Sequence, residues 1–202
     1  MKKRIAIENR KTKETEITVR LNINGSGKAK IKTPIGLLNH MLELFAFHGL
    51  FDLDIQAKGD YKEIDLHHTN EDIGIVLGEA FKKALGNKKG IKRFGSAAVP
   101  MEEVVANVTV DISGRGASRI KTGKVVSLPR IKDGYMFSDV GHLFEAFAEH
   151  LGVNLNVFVD PLNSDLHTTL EPIFKALGIA LDQATQIDPR RKGIPSTKGV
   201  ID

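Results

Sequence analysis

Two stretches of the chain alternate between polar and apolar residues in the same way. Residues 16–23 alternate before a glycine-rich turn at 25–27, and residues 105–112 alternate before a second such turn at 114–116. A period of two places apolar side chains on one face of a strand and polar ones on the other. The pattern therefore predicts strands in sheets that have one covered and one exposed face.

Four helices are predicted from apolar residues spaced three and four apart. Two cover about residues 36–48 and 138–151, and two more begin at histidine motifs further along each half. Gly49 and Gly86 are expected to end helices in the left-handed conformation, and Gly178 to permit close packing. The apolar stripes of the later helix pair are expected to be core; they are Ile73, Val76, Leu77, Ala80 and Phe81, and Ile173, Phe174, Leu177, Ala180 and Leu181.

The order of these elements repeats because the chain contains an internal duplication. Residues 39–48 are echoed by residues 141–150, and each segment carries two histidines eight positions apart. Residues 65–71 are echoed by residues 165–171, and each is followed by a helical run. Repeated motifs in the same order predict two copies of one structural unit.

The two halves meet near Gly90. Residues 1–90 are expected to form the first half and residues 91–202 the second, which ends in a phosphate-binding tail, the two making one compact unit. Each half is predicted to be a small sheet with two helices packed on one face. The fold class is therefore α+β, as a duplicated split β-α-β arrangement.

Composition narrows both the kind of protein and its chemistry. The chain has 202 residues, of which 41% are hydrophobic and 27% charged, enough for one ordinary core. No apolar stretch approaches the roughly 18 to 20 residues that span a bilayer, so a cytoplasmic protein with no membrane partner is expected. The absence of cysteine excludes disulfides, thiolate nucleophiles and zinc–thiolate sites, which leaves nitrogen and oxygen as metal ligands.

All seven histidines fall inside the repeated motifs, where chance would scatter them. In the predicted helices His67 stands four residues before Glu71, as His167 does before Glu171, so each pair can point at one ion. Imidazole with carboxylate and no sulfur suits Mn²⁺, Fe²⁺ or Zn²⁺ better than Mg²⁺ or Ca²⁺, and manganese is favoured. His150, at a predicted helix end, is interpreted as structural.

Several cationic and hydroxyl side chains are candidates for binding a phosphate group. Ser196 and Lys198 stand in a glycine-ended loop after a basic run. Arg93 and Arg115 stand near glycines, where a guanidinium and backbone amides can share one anion, and Lys175 is a further cation. Each signal is weak alone, but together they supply enough cations for one phosphate.

Over residues 10–201 the chain closely resembles the imidazoleglycerol-phosphate dehydratases of histidine biosynthesis. The segments that carry the resemblance are RKTKET at 10–15, HML at 40–42, HHTNED at 67–72, RFG at 93–95, PM at 100–101, SGR at 113–115, FKA at 174–176 and PSTKG at 195–199. The resemblance implies a metal-dependent carbon–oxygen lyase that converts D-erythro-imidazole-glycerol phosphate to imidazole-acetol phosphate. It also implies a ribosomal-protein-S5-domain-2-like fold for each half, and self-association into a large homo-oligomer of about 24 subunits.

The resemblance further implies two manganese ions in each active site, shared between subunits. Glu14 and His48 would contact substrate and, with Glu171, take part in catalysis. The implied metal ligands are His40, His67, His68, Glu71, His142, His167 and Glu171. The implied phosphate-binding residues are Arg93, Arg115, Lys175, Ser196 and Lys198.

Five positions depart from the family pattern, and one of them is Glu102, where the family has aspartate before Glu103. Thr168 stands where the family has the second histidine of a pair, which leaves seven of eight expected ligands and one metal site short of a ligand. Leu44 stands where a glutamine is frequent, Asn39 where aspartate is usual and Asn156 where histidine is common. Such changes would alter the residues that support the metal ligands.

Two other functions are compatible with the sequence. Thr168 and Leu44 leave open a metal-binding homologue of the same fold that has lost turnover. A net charge of +4 and a duplicated split β-α-β fold leave open an RNA-binding module, although aromatic residues are few, at 6%. A small phosphorylated substrate suits the charge as well, and the preferred interpretation is a dehydratase with no nucleic-acid partner.

Overall fold

The helices and strands begin and end close to the residues that the sequence periodicity predicts. They are described in a computed structural model that covers residues 4–60 and 64–201. Residues 1–3 and 202, at the outer ends of the predicted halves, lie outside the described part. None of the described helices is long and apolar enough to cross a membrane. The elements are β1 (Ile5–Lys11), β2 (Thr15–Asn22), β3 (Ala29–Lys32), α1 (Gly36–His48), β4 (Asp52–Gly59), α2 (His67–Leu85), β5 (Phe94–Met101), β6 (Val104–Asp111), β7 (Ala117–Thr122), α3 (Phe137–Leu151), β8 (Asn154–Asp160) and α4 (Leu166–Thr185).

In the part of the chain that the structure describes, each half contains four strands, one more than the three that the sequence pattern predicted. The strands β3 and β7 precede the first helix of each half and pair parallel with β4 and β8, whereas the other neighbours are antiparallel. The sheet orders are β1-β2-β4-β3 and β5-β6-β8-β7. In β3 only Ile31 is even half-buried, so the strand carries almost no alternation. The parallel pairs complete a β-α-β unit in each half.

The halves face each other through their helices. Alternate side chains of β2 and β6 are buried and the others are largely exposed, as expected for a sheet covered on one face. The helix α2 packs on β1 and β2, and α4 packs on β5 and β6, while α2 contacts α3 and α1 contacts α4. The layers therefore run sheet, helices, helices, sheet around one hydrophobic core. The predicted duplicated α+β fold is confirmed.

Glycines allow both pairs of helices from opposite halves to approach closely. A Cβ atom at Gly178 on α4 would lie 2.5 Å from the carbonyl oxygen of Phe45 on α1. A Cβ atom at Gly74 on α2 would lie 2.6 Å from the carbonyl oxygen of Leu143 on α3. Any larger residue would push backbone away from backbone, so the close packing predicted at Gly178 is confirmed.

The predicted role of Gly49 is wrong. Its φ of −85° is right-handed, so α1 does not end in a left-handed residue. A Cβ atom there would instead lie 2.4 Å from the Phe51 ring, so close packing explains this glycine. Gly86 does have a positive φ of 58°, but its ψ of −125° lies outside the left-handed helical region.

Candidate active site

The first histidine of α1 meets the motif at the start of α4, so one cluster joins the two halves. His40 Nε2 lies 3.1 Å from Glu171 Oε1, and His167 Nε2 lies 2.7 Å from the same oxygen. The two imidazole rings stack with their centroids 5.0 Å apart. One turn of α4 presents His167 and Glu171 together because they are four residues apart. We call His40, His167 and Glu171 the α1–α4 cluster.

The carboxylate of the α1–α4 cluster is buried and held by a cation. Glu171 is 8% exposed, and Lys175 Nζ lies 2.6 Å from its Oε2. Burial raises the pKa of Glu171, but hydrogen bonds from Lys175, His40 and His167 outweigh that effect and lower the pKa to about 2. The cluster therefore presents a negative charge between two imidazoles at neutral pH.

A second cluster lies in the equivalent place between α2 and α3. His67 Nε2 lies 3.3 Å from Glu71 Oε2, and the rings of His67 and His142 have centroids 5.0 Å apart. All three side chains line one cavity, in which Glu71 and His142 are exposed. We call them the α2–α3 cluster. Each cluster takes one histidine from one half and a histidine–glutamate pair from the other, so neither half alone holds a complete set.

His68 belongs to a third group because it points away from the α2–α3 cluster. Neighbouring residues of an α-helix are about 100° apart around the axis, so His67 and His68 face different surroundings. His68 Nδ1 lies 3.0 Å from Asp60 Oδ2 and 3.9 Å from Glu14 Oε2. The hydrogen bond with Asp60 raises the pKa of His68. We call Glu14, Asp60 and His68 the hairpin cluster, since Glu14 lies in the turn between β1 and β2.

Asp72 fastens that hairpin to α2. It accepts hydrogen bonds from Arg10 Nε at 2.8 Å and from Thr15 Oγ1 at 2.5 Å. Asp72 is buried and follows the Glu71 ligand candidate directly. The bonds therefore fix the position of Glu14 relative to the helix that carries His68.

Asp60 and Asp72 were not among the predicted site residues. The duplication contains a signal for Asp60, because Asp60 and Asp160 each stand seven residues before the first histidine of the repeated motif. Asp72 carries no such signal, since the residue after Glu171 is Pro172.

The donor atoms of these clusters suit a metal ion. The ligand atoms of the α1–α4 cluster all lie within 4.8 Å of one another, and so do those of the hairpin cluster. Separations of 2.7 and 3.1 Å in the α1–α4 cluster match neighbouring ligands around an ion with bonds of about 2.0–2.2 Å. Imidazole with carboxylate is a donor set for borderline first-row ions. The residues present therefore fit a divalent metal of that kind.

His48 and His150 occupy equivalent positions near the ends of α1 and α3. Burial and the charge of Lys175 lower the pKa of His48, and Glu171 opposes this shift. His48 is therefore neutral at pH 7 and lies within the field of the α1–α4 cluster. His150 Nδ1 lies 2.9 Å from the Ala146 carbonyl oxygen, so its ring bonds its own helix.

Three of the predicted phosphate-binding residues lie close together. Arg93 donates to both oxygens of Asp111, at 2.6 and 3.0 Å, and to the Pro195 carbonyl oxygen at 3.0 Å. In the loop that follows, the backbone N–H of Lys198 donates to Ser196 Oγ at 3.2 Å. Asp111 raises the pKa of Arg93, so the guanidinium stays charged.

The other two predicted phosphate-binding residues make different contacts. Arg115 is exposed in the turn between β6 and β7, where its backbone bonds the Ser113 hydroxyl. Lys175 lies on α4 against Glu171. The Arg93 carbonyl oxygen accepts from the backbone N–H of Ile112 at 3.0 Å, so Arg115, three residues further on, lies in the same region. Lys175 is separated from this region, since the Arg93 N–H bonds the carbonyl oxygen of Ala184, nine residues further along α4.

Most of the residues that depart from the family pattern make contacts within the fold. The Asn39 side chain accepts hydrogen bonds from the backbone N–H and the hydroxyl of Thr33. It also donates one to the Thr33 carbonyl oxygen, a bond that an aspartate at this position could not make. Leu44 packs against the hydrophobic core, and Asn156 is exposed on β8. Thr168 is buried in the first turn of α4.

The protein is internally duplicated, with two facing α+β halves. Its candidate metal sites are histidine–carboxylate clusters, two of which join the halves. The imidazoleglycerol-phosphate dehydratase family model matches residues 33–181. The imidazoleglycerol-phosphate dehydratase of Geobacter metallireducens is 50% identical over 202 residues, which covers all of both chains. That of Bacillus subtilis is 50% identical over 193 residues, covering 95% of this chain and 96% of the relative. The chain belongs to the imidazoleglycerol-phosphate dehydratase family.

Solved structures agree with this assignment. A crystal structure of the Pyrococcus furiosus dehydratase superposes with a TM-score of 0.80 at 35% identity, covering 96% of this chain and 99% of that one. The Staphylococcus aureus dehydratase superposes with a TM-score of 0.77 at 31% identity, covering 91% and 99%. The predicted family and the predicted enzyme class, a hydro-lyase of histidine biosynthesis, are confirmed.

Proposed function

We infer that the protein dehydrates imidazoleglycerol phosphate to imidazole-acetol phosphate, and we propose that it uses two Mn²⁺ ions in each active site. The observation that supports the metal is the α1–α4 cluster, in which two imidazoles converge on one ionised, buried carboxylate. The proposed ligands are His40, His67, His68, Glu71, His142, His167 and Glu171.

The reaction needs a place for negative charge. The proton that is lost from carbon is weakly acidic and hydroxide is a poor leaving group, but the imidazole ring beside the hydroxyl-bearing carbon can give up its N–H proton, hold the negative charge and push out hydroxide. Bound Mn²⁺ would supply Lewis acidity that polarises the ring. Loss of the proton and of hydroxide gives an enol, which becomes the ketone of the product.

Residues of the chain supply proton transfer and orientation. Glu14 is exposed beside His68, so its carboxylate can exchange protons with a substrate at the hairpin cluster. His48, neutral and close to Glu171, can accept a proton on the side of the α1–α4 cluster. These roles suit a general base and a general acid on different faces of the substrate.

The phosphate would be held by Arg93, Arg115, Lys175, Ser196 and Lys198. Since Lys175 lies at the α1–α4 cluster, apart from the Arg93 region, we propose that self-association of the protein brings residues from different copies around one substrate. The same association would place the hairpin cluster of one copy against a histidine–glutamate pair of another.

Turnover of the purified full chain tests the proposal. Formation of the ketone from imidazoleglycerol phosphate is followed by NMR in the presence of Mn²⁺. Glu14→Gln is expected to lower kcat by about 10²–10⁴-fold because it removes a proton-transfer group. Glu16→Gln is the matched control and should retain activity, because Glu16 lies two residues from Glu14 and its exposed carboxylate pairs with Lys11.

A metal-binding homologue without turnover is the second candidate, and Thr168 is the observation that favours it. Bound Mn²⁺ without any ketone from the unmodified protein would support that candidate. Ketone formation would exclude it, and would show that the enzyme tolerates threonine at this position.

A further inference from the structure

The duplication places Thr168 where the first half has His68. His68 stands three residues before Glu71, and Thr168 three residues before Glu171. Both lie in the first turn of their helices, next to the histidine that joins a cluster between the halves. Of the two equivalent positions, only the one in the first half therefore carries an imidazole.

The surroundings of His68 prepare it to bind a cation. Asp60 Oδ2 engages Nδ1 of the ring at 3.0 Å, which fixes the ring and leaves Nε2 free of that carboxylate. A carboxylate on the far nitrogen is the usual support of a histidine that ligates a metal. The His68 side chain is about one-third exposed, so Nε2 can reach an ion outside its own helix.

The corresponding residues of the second half are used differently. Asp160 Oδ1 accepts the backbone N–H of Lys124 at 2.7 Å, and Glu103, just before β6 as Glu14 is just before β2, accepts a hydrogen bond from Asn163. Thr168 is only 9% exposed. The carboxylates that would match the hairpin cluster therefore hold loops in place.

The positions of the histidines and carboxylates agree with this difference. Among residues 4–60 and 64–201, two groups of three converging histidine and carboxylate side chains occur, the α1–α4 cluster and the hairpin cluster. At the position equivalent to His68, threonine supplies no imidazole to join Glu103 and Asp160. The second half has thus kept its histidine–glutamate pair but not a counterpart of the hairpin cluster.

We propose that the protein binds two divalent cations with unequal affinity, because only the first half supplies the additional imidazole. The inference rests on the proposed metal dependence of the site. A threonine hydroxyl is a weak ligand for a borderline ion compared with imidazole. Since the loss of groups that merely support a ligand lowers metal affinity by about 10–100-fold, we expect the two affinities to differ at least about tenfold.

Calorimetric titration of the chelator-stripped full chain with Mn²⁺ measures this difference directly, with electron paramagnetic resonance of free Mn²⁺ as a second readout. The unmodified protein should show a tight and a weak class of site. Thr168→His should strengthen the weak class at least about tenfold. Thr168→Gln, similar in length but without an imidazole, is the matched control and should leave the two classes apart.

His68→Thr makes the opposite change and keeps the test decisive if Thr168→His does not fold. It should remove the tight class and leave only weak binding. One class of equal sites in the unmodified protein, or a tight class that survives His68→Thr, would overturn the inference while leaving the proposed dehydratase intact. If no variant binds Mn²⁺ at all, the proposed metal dependence itself fails.

Discussion

Adding a single methyl group at Gly178 should disturb the active site from a distance. Gly178 lies on α4 two turns beyond Glu171, and its partner Phe45 lies on α1 five residues beyond His40. A Cβ atom at this position would meet the Phe45 carbonyl oxygen at 2.5 Å and the Gly49 nitrogen at 2.9 Å. Both are backbone atoms, so the contact can be relieved only if the helices separate.

The required displacement can be read from the structure. Ordinary contact begins at 3.4 Å, so α1 and α4 must separate locally by about 0.9 Å. The same movement would stretch the 3.1 Å separation of His40 and Glu171 toward about 4 Å. Overpacking of this kind costs about 1–3 kcal/mol, and a misplacement of about 1 Å in a catalytic site can lower the rate about 10²-fold.

Thermal unfolding and turnover of Gly178→Ala measure both effects. A loss of about 2–4 °C in Tm is expected for each kcal/mol in a protein of this size, together with a fall in kcat. Gly36→Ala is the matched control, because its Cβ would meet nothing within 4 Å. If Gly178→Ala matched Gly36→Ala in both Tm and kcat, the idea that close packing of α1 on α4 positions the site would be refuted.

Three further changes probe separate parts of the molecule. Glu171→Gln removes the shared carboxylate and should lower both bound Mn²⁺, measured by elemental analysis, and kcat by at least about 10²-fold; full metal content would contradict its role as a ligand. Asn70→Ala removes the hydrogen-bond partner of the buried Tyr135 hydroxyl and of the Asp139 carbonyl oxygen. The free energy of unfolding in urea should fall by about 1–3 kcal/mol for each unpaired group, which is more than Tyr135→Phe should cost. Arg93→Lys cannot bond both oxygens of Asp111 as a fork and should raise KM for the phosphate substrate about tenfold, an effect that an unchanged KM would rule out.

The parts of the fold that depend on local pattern could be predicted from the sequence. The strands β2 and β6 bury every second side chain, and the helices α1 and α3 have strong apolar stripes, so their extents were predicted within a residue or two. The pairing of His167 with Glu171 also follows from local geometry, since one helical turn separates them. Duplication added the expectation that both halves would share one architecture.

Contacts between distant segments could not be predicted in the same way. Short β3 has almost no alternation of its own, so its sequence does not indicate that it pairs parallel with β4. The crossing of α1 onto α4, which brings His40 to Glu171, depends on how the two halves dock. Gly49 was predicted from its position to be left-handed, whereas the actual constraint is its close contact with the Phe51 side chain. Each of these features is set by tertiary packing, which overrides the local pattern.

Removal and restoration of the metal show whether the histidine–carboxylate clusters make this chain a metal-dependent dehydratase. The purified protein is stripped with chelator, and ketone formation from imidazoleglycerol phosphate is measured before and after addition of Mn²⁺. Turnover should disappear on stripping and return with Mn²⁺. Full turnover by the stripped protein, with its metal content shown to be negligible, would refute the proposed metal dependence.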